Sequence, residues 1–110
     1  MSYHLHITSV AERDLIQAAD YIEFVLKNPQ AADDLLEEVD QKINALLSFP
    51  KEHPLADDKL LASWGIRFIQ VKNYLAFYVI SEEKDQVTIV RFLYARSNWS
   101  SILRLGFPLI

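Results

Sequence analysis

The dipeptide Asn28-Pro29 constrains this chain more than any other feature, because it cuts the first half into two helices. Proline lacks an amide hydrogen and its ring clashes with the preceding turn, so no regular helix runs through it. Asparagine followed by proline reads instead as a helix cap and a first helical residue. On either side the apolar residues recur at helical spacing. Ala11, Leu15, Ala18, Ala19, Ile22 and Leu26 precede the break, and Ala32, Leu35, Leu36, Val39, Ile43, Leu46 and Leu47 follow it. Ser9-Val10-Ala11-Glu12 has the capping-box pattern for the first helix start, and Phe49-Pro50 stops the second. Two amphipathic helices joined by so short a turn pack as an antiparallel hairpin.

Strands surround this hairpin. Tyr3-His4-Leu5-His6-Ile7 alternates apolar and polar residues, the mark of a short half-buried strand. From Pro50 to about Ser63 the chain is polar and reads as a loop, with a turn of helix near Lys59–Ala62. Ile66–Val71 and Tyr74–Ile80 flank Lys72-Asn73 as a hairpin, and Val87–Tyr94 follows a charged turn. Ser97 or Asn98 then caps a short helix through Leu103. The order β-α-α-β-β-β predicts an α+β fold, one domain over residues 1–110, with the hairpin on one face of a small, mainly antiparallel sheet. Leu15, Ile22, Leu36, Val39, Ile43, Phe68, Leu75, Phe77, Ile89 and Phe92 are the expected core.

Composition excludes several classes. The 110 residues include no cysteine, which removes disulfide scaffolds, thiol nucleophiles and Cys-based metal sites. Apolar runs are too short for a membrane span, and the N-terminus lacks the regions of a signal peptide, so a soluble cytoplasmic protein is expected. Residues 1–50 carry nine acidic and three basic side chains, and residues 51–110 six and eight. With a net charge of −4, non-specific coating of DNA is a poor fit, since phosphate neutralisation supplies most of that affinity. His4 and His6 share a strand face at a spacing that can chelate metal, but no third ligand lies nearby in sequence. No metal or other cofactor is expected.

Several segments, taken in order, resemble the RelE/ParE superfamily of toxins from bacterial type II toxin–antitoxin modules of the plasmid-stabilisation kind. They are Ala11-Glu12-Arg13-Asp14-Leu15, Asp20-Tyr21-Ile22, Asn28-Pro29-Gln30-Ala31-Ala32, Leu46-Leu47-Ser48-Phe49-Pro50, Gly65-Ile66-Arg67, Asn73–Tyr78 and Val90–Trp99. The resemblance implies a cognate antitoxin as partner and one of two activities on the same fold. RelE-like members cut mRNA on the ribosome; ParE-like members inhibit DNA gyrase and are not nucleases. A non-toxic member that only binds its antitoxin and acts as a co-repressor is a third reading. A homodimer or a higher toxin–antitoxin assembly is left open, and no membrane is involved.

Metal-free RNA cleavage needs a base for the 2′-hydroxyl, an acid for the leaving oxygen and cations for the phosphorane charge. The resemblance puts Arg67 and Arg96 at the positions of the nuclease arginines, Tyr94 near a histidine acid and Glu52 in the place of a loop base, with His53 beside it. The tyrosine that RelE-like members carry beyond the last-strand arginine is replaced by Ile102, and the lysine-rich loop is reduced to Lys51 and Lys59. This incomplete set favours ParE-like inhibition of gyrase or another non-RelE activity. Arg67, Lys72, Arg91, Arg96 and Trp99 are the candidates for binding antitoxin or target, while an ion-pairing role for the arginines and a core-sealing role for Trp99 and Trp64 are the alternatives. In a strand Arg91 and Arg96 would face opposite sides. An acidic, apolar-studded antitoxin peptide is expected over the sheet face near Arg67 and Arg96, and the apolar segment Leu105–Ile110 is expected to cover the core or form an interface.

Overall fold

The computed structural model describes residues 3–106. Strand β1 (His4–Ile7) leads into α1 (Ser9–Asp20), a wide π-helical turn (Tyr21–Val25) and α2 (Pro29–Leu46). A 3₁₀ turn (Pro50–Glu52) and α3 (Lys59–Ser63) follow, then β2 (Arg67–Val71), β3 (Tyr74–Ser81), β4 (Gln86–Tyr94) and α4 (Trp99–Gly106). The sheet order is β1-β4-β3-β2, with β1 parallel to β4 and the other pairs antiparallel. The expected α+β architecture is the observed one.

Three local expectations are corrected. The cap of α1 is Thr8 rather than Ser9: its hydroxyl accepts from the Ala11 amide at 3.0 Å and donates to the Val90 carbonyl at 3.2 Å. Thr8 therefore starts the helix and ties it to β4 at once, which Ser9 one residue on does not do. Leu26 leaves the apolar stripe and is 57% exposed. The Leu26 amide reaches back five residues to Tyr21, at 3.0 Å, and this wider turn breaks the 3.6-residue phase. Leu36 is exposed as well, because the buried face of α2 is centred on Ala32, Leu35, Val39, Ile43 and Leu46, one residue away. As expected, Asn28 caps α2 by accepting from the Ala31 amide at 3.0 Å, with Pro29 in the first turn.

Each face of the sheet carries a core. Leu35, Val39 and Ile43 pack with Ile69, Ala76, Tyr78, Ile89 and Phe92 beneath the helical hairpin. On the other face Leu61 of α3 and Leu103 of α4 pack with Leu75, Phe77, Val90 and Leu93. Leu15, Ile22 and Phe68 are half-buried beside these cores. A bulge in β4 sets Phe77 opposite Arg91 and Tyr78 opposite Ile89. The extra residue explains how Ile89 and Phe92, an odd number apart, enter the same core. Leu105 is 89% exposed, and Phe107–Ile110 lie outside the described residues.

Candidate functional site

Arg67 opens β2 directly opposite Tyr78 of β3. Its guanidinium donates to the His53 carbonyl at 2.6 Å and the Lys51 carbonyl at 3.4 Å, while the Tyr78 hydroxyl donates to the Pro50 carbonyl at 2.5 Å. The pair fastens the turn that follows α2. Burial pushes the Tyr78 phenol up to about 12, with the Arg67 charge pulling the other way, so it stays a neutral donor. Glu52 is exposed on the same turn. With His53, Lys42 and Phe49 it lines a cleft of about 430 Å³ between α2 and β2.

Arg96 lies at the other end of the sheet. It follows Tyr94, whose strand partner is Tyr74, next to the Lys72-Asn73 turn. The Ala95 amide donates to the Asn73 carbonyl at 2.8 Å. From Tyr74 to Tyr78, the partner of Arg67, is four residues, roughly 13 Å of strand. The nuclease candidates thus divide, Arg67 with Glu52 at one end and Arg96 with Tyr94 at the other. Arg96 is exposed and has no hydrogen bond or ion pair among the described residues. It sits in the turn beyond β4, so strand alternation does not govern its direction.

The other candidate side chains are engaged. Arg91 donates to both carboxylate oxygens of Asp14, at 2.7 and 2.9 Å, and Asp14 also accepts from the Phe92 amide at 3.1 Å. Lys72 takes a left-handed φ of 54° and its ammonium lies 3.6 Å from Glu38 on α2. Trp99 starts α4 with its ring centroid 5.2 Å from that of Phe77, packed on the second core beside Trp64. His4 and His6 are exposed on β1, and no group of three metal-binding side chains occurs among the described residues. Nor does any helix among them have the length and apolarity to cross a membrane.

Sequence reasoning missed a second surface. A cleft of about 740 Å³ opens between the hairpin tip and the end of the sheet, lined by Tyr21, Ile22, Leu26, Leu35, Tyr74 and Tyr94, with Asn28, Asp34, Lys72 and Asn73 among its polar groups. Tyr74 stacks on Phe92 at 5.0 Å and meets Tyr94 edge-on at 5.6 Å. Burial, with the Tyr94 and Tyr21 phenols alongside, raises its phenol above the ordinary range. Beside the cleft Phe24 and Val25 are 66% and 62% exposed. The available signal was the run Tyr21-Ile22-Glu23-Phe24-Val25-Leu26, which holds more apolar residues than one helical stripe can bury.

The same fold occurs in two solved toxin–antitoxin assemblies. The chromosomal ParDE system of P. aeruginosa contains a chain that superposes with a TM-score of 0.70 at 16% identity, covering 86% of this chain and 98% of that one. The RelBE2 toxin–antitoxin complex of Mycobacterium tuberculosis contains one with a TM-score of 0.59 at 20% identity, covering 86% and 99%. The architecture is that of the RelE/ParE class. No curated protein sequence matches the chain. Residues 5–99 match the family described as ParE toxin of type II toxin-antitoxin system, parDE. The chain belongs to this family and is a type II toxin.

Proposed function

We propose that this toxin acts by binding a protein target, DNA gyrase, without cutting RNA, and that a cognate antitoxin holds it inactive. The observation that carries the reading is the division of the candidate nuclease groups. Cleavage requires base, acid and cation within hydrogen-bond reach of one phosphate. Here Arg67 and Glu52 lie at one end of the sheet and Arg96 and Tyr94 at the other, and Arg67 is spent on backbone carbonyls. Membership of the ParE family supports the same side. Both structural neighbours come from toxin–antitoxin systems, which supports the antitoxin. A cytoplasmic site of action follows from the target.

One feature favours the alternative. Glu52, His53 and Lys42 share the smaller cleft, and a carboxylate, an imidazole and an ammonium are the groups a nuclease would use. Induced expression separates the readings. The gyrase reading expects growth arrest with gyrase-dependent DNA breaks and intact messages. Cleaved messages without DNA breaks would establish the nuclease reading, and growth without arrest would leave only the co-repressor.

A further inference from the structure

One corner of the sheet carries polar side chains and no covering helix. Leu5 and Ile7 of β1 pair in parallel with Val87 and Ile89, which belong to the core under the hairpin. Strand alternation turns His4 and His6 to the other face, together with their register partners Gln86 and Thr88. On that face α3 and α4 pack over Leu75, Phe77, Val90 and Leu93, and both histidines are exposed. Neither imidazole has a hydrogen bond or ion pair among the described residues. Both rings are free to turn about their side-chain torsions toward a shared ligand.

Two residues of strand separate the Cα atoms by about 6.6 Å. Transition ions take imidazole nitrogens at roughly 2.0–2.1 Å, so two rings on one face can reach a single ion. No third His, Cys, Asp or Glu joins them among the described residues. A structural zinc site closes four positions with protein, whereas this pair leaves positions for water. Gln86 lies opposite His4, and its Nε2 donates to the Thr88 hydroxyl at 3.1 Å. That bond holds the amide and leaves its oxygen to accept from a ring N–H or a metal-bound water, the outer support that metal-binding imidazoles commonly have. The surroundings favour a cation. The His4 amide donates at 2.7 Å to the carbonyl of Asp85, which closes an exposed turn holding Glu82, Glu83 and Asp85 against Lys84. The whole chain carries a net charge of −4.

We propose that His4 and His6 of β1 chelate a divalent transition ion of the Ni²⁺, Cu²⁺ or Zn²⁺ class, with water in the open positions and Gln86 as outer partner. An exchangeable ion, unlike a resident cofactor, needs no third protein ligand. The site lies on the edge strand opposite β2 and is independent of how the toxin acts.

The test uses the untagged full chain, freed of metal with a chelator, and takes NiCl₂ and MgCl₂ as probes. Calorimetry should find Ni²⁺ bound about a hundredfold or more tighter than Mg²⁺, which prefers oxygen ligands. Paramagnetic Ni²⁺ should broaden the amide signals of His4, Leu5, His6, Gln86 and Thr88 before any others. His4→Ala and His6→Ala, both at exposed positions, should each weaken Ni²⁺ binding about tenfold or more, because each removes one arm of the chelate. Their melting temperatures in chelator should match wild type, and His53→Ala should leave Ni²⁺ binding unchanged. The broadening is read on the wild type and decides the matter should a variant fold poorly. Ni²⁺ bound no tighter than Mg²⁺, broadening centred on His53, or a loss confined to one of the two β1 variants would overturn the proposal.

Discussion

Asp14 ties the hairpin to the sheet through its side chain, and Lys27 holds a left-handed backbone at the hairpin tip. Strand β1 pairs with β4 only as far as Ile7 opposite Ile89, and beyond that point α1 supplies the missing edge. The Thr8 hydroxyl takes the Val90 carbonyl, and Asp14 takes the Phe92 amide together with both Arg91 nitrogens. The Asp14 and Arg91 side chains are 11% and 21% exposed, so removing the carboxylate strands a cation and an amide away from water. Asp14→Ala should lower the unfolding free energy by ~2–4 kcal/mol in denaturant titration. A loss under ~0.5 kcal/mol would show that the pair contributes as little as a surface ion pair. At Lys27 the sign is opposite. The Asn28 amide reaches back six residues to the Ile22 carbonyl at 3.0 Å, and Lys27 takes a φ of 55°, the left-handed position that glycine usually fills at such a helix end. Lys27→Gly should stabilise the protein by ~1 kcal/mol, seen as a raised urea midpoint at constant slope; a lowered midpoint would contradict this account of the turn.

Among the elements, α3 and α4 are short and hold each other. Asp58 caps α3 by accepting from the Leu61 amide at 3.1 Å, and the Arg104 guanidinium of α4 lies 2.7 Å away. The amide hydrogen bond, with Arg104 alongside, holds the Asp58 carboxyl below the usual carboxylate range. A lowered folded value means the stabilisation is fully present above the unfolded value of ~3.9 and is lost as pH falls through the folded one. Asp58→Asn keeps a capping oxygen but removes the charge. Its melting temperature should fall below wild type by a constant amount from neutral pH to about pH 5, and the two should begin to converge below the unfolded value and meet as pH falls through the lowered folded one. A gap that persists unchanged at pH 2 would assign the effect to packing.

At the scale of the molecule, what the sequence disclosed was whatever depends on local spacing. The Asn28-Pro29 break, the two stripes and the Lys72-Asn73 turn each signal their element within a few residues, so the fold and the family were legible. What depends on phase or on long-range pairing was not. The π-helical turn shifts Leu26 out of the core by a single residue, and no residue type announces it. The β4 bulge alters strand parity in the same silent way. The site suffered most. Arg67 and Arg96 look like one constellation in sequence, yet the register of β2 against β3 and of β3 against β4 sets them at opposite ends. That register is a property of three strands together.

The central claim is that this ParE-family chain inhibits by binding and leaves RNA uncut. Purified protein added to gyrase, ATP and relaxed plasmid tests it most directly, with ribosomes and a defined message treated in parallel at the same concentrations. The account predicts that supercoiling falls as toxin approaches the concentration of gyrase while the message stays full length. Undiminished supercoiling together with specific cleavage of the message would contradict it.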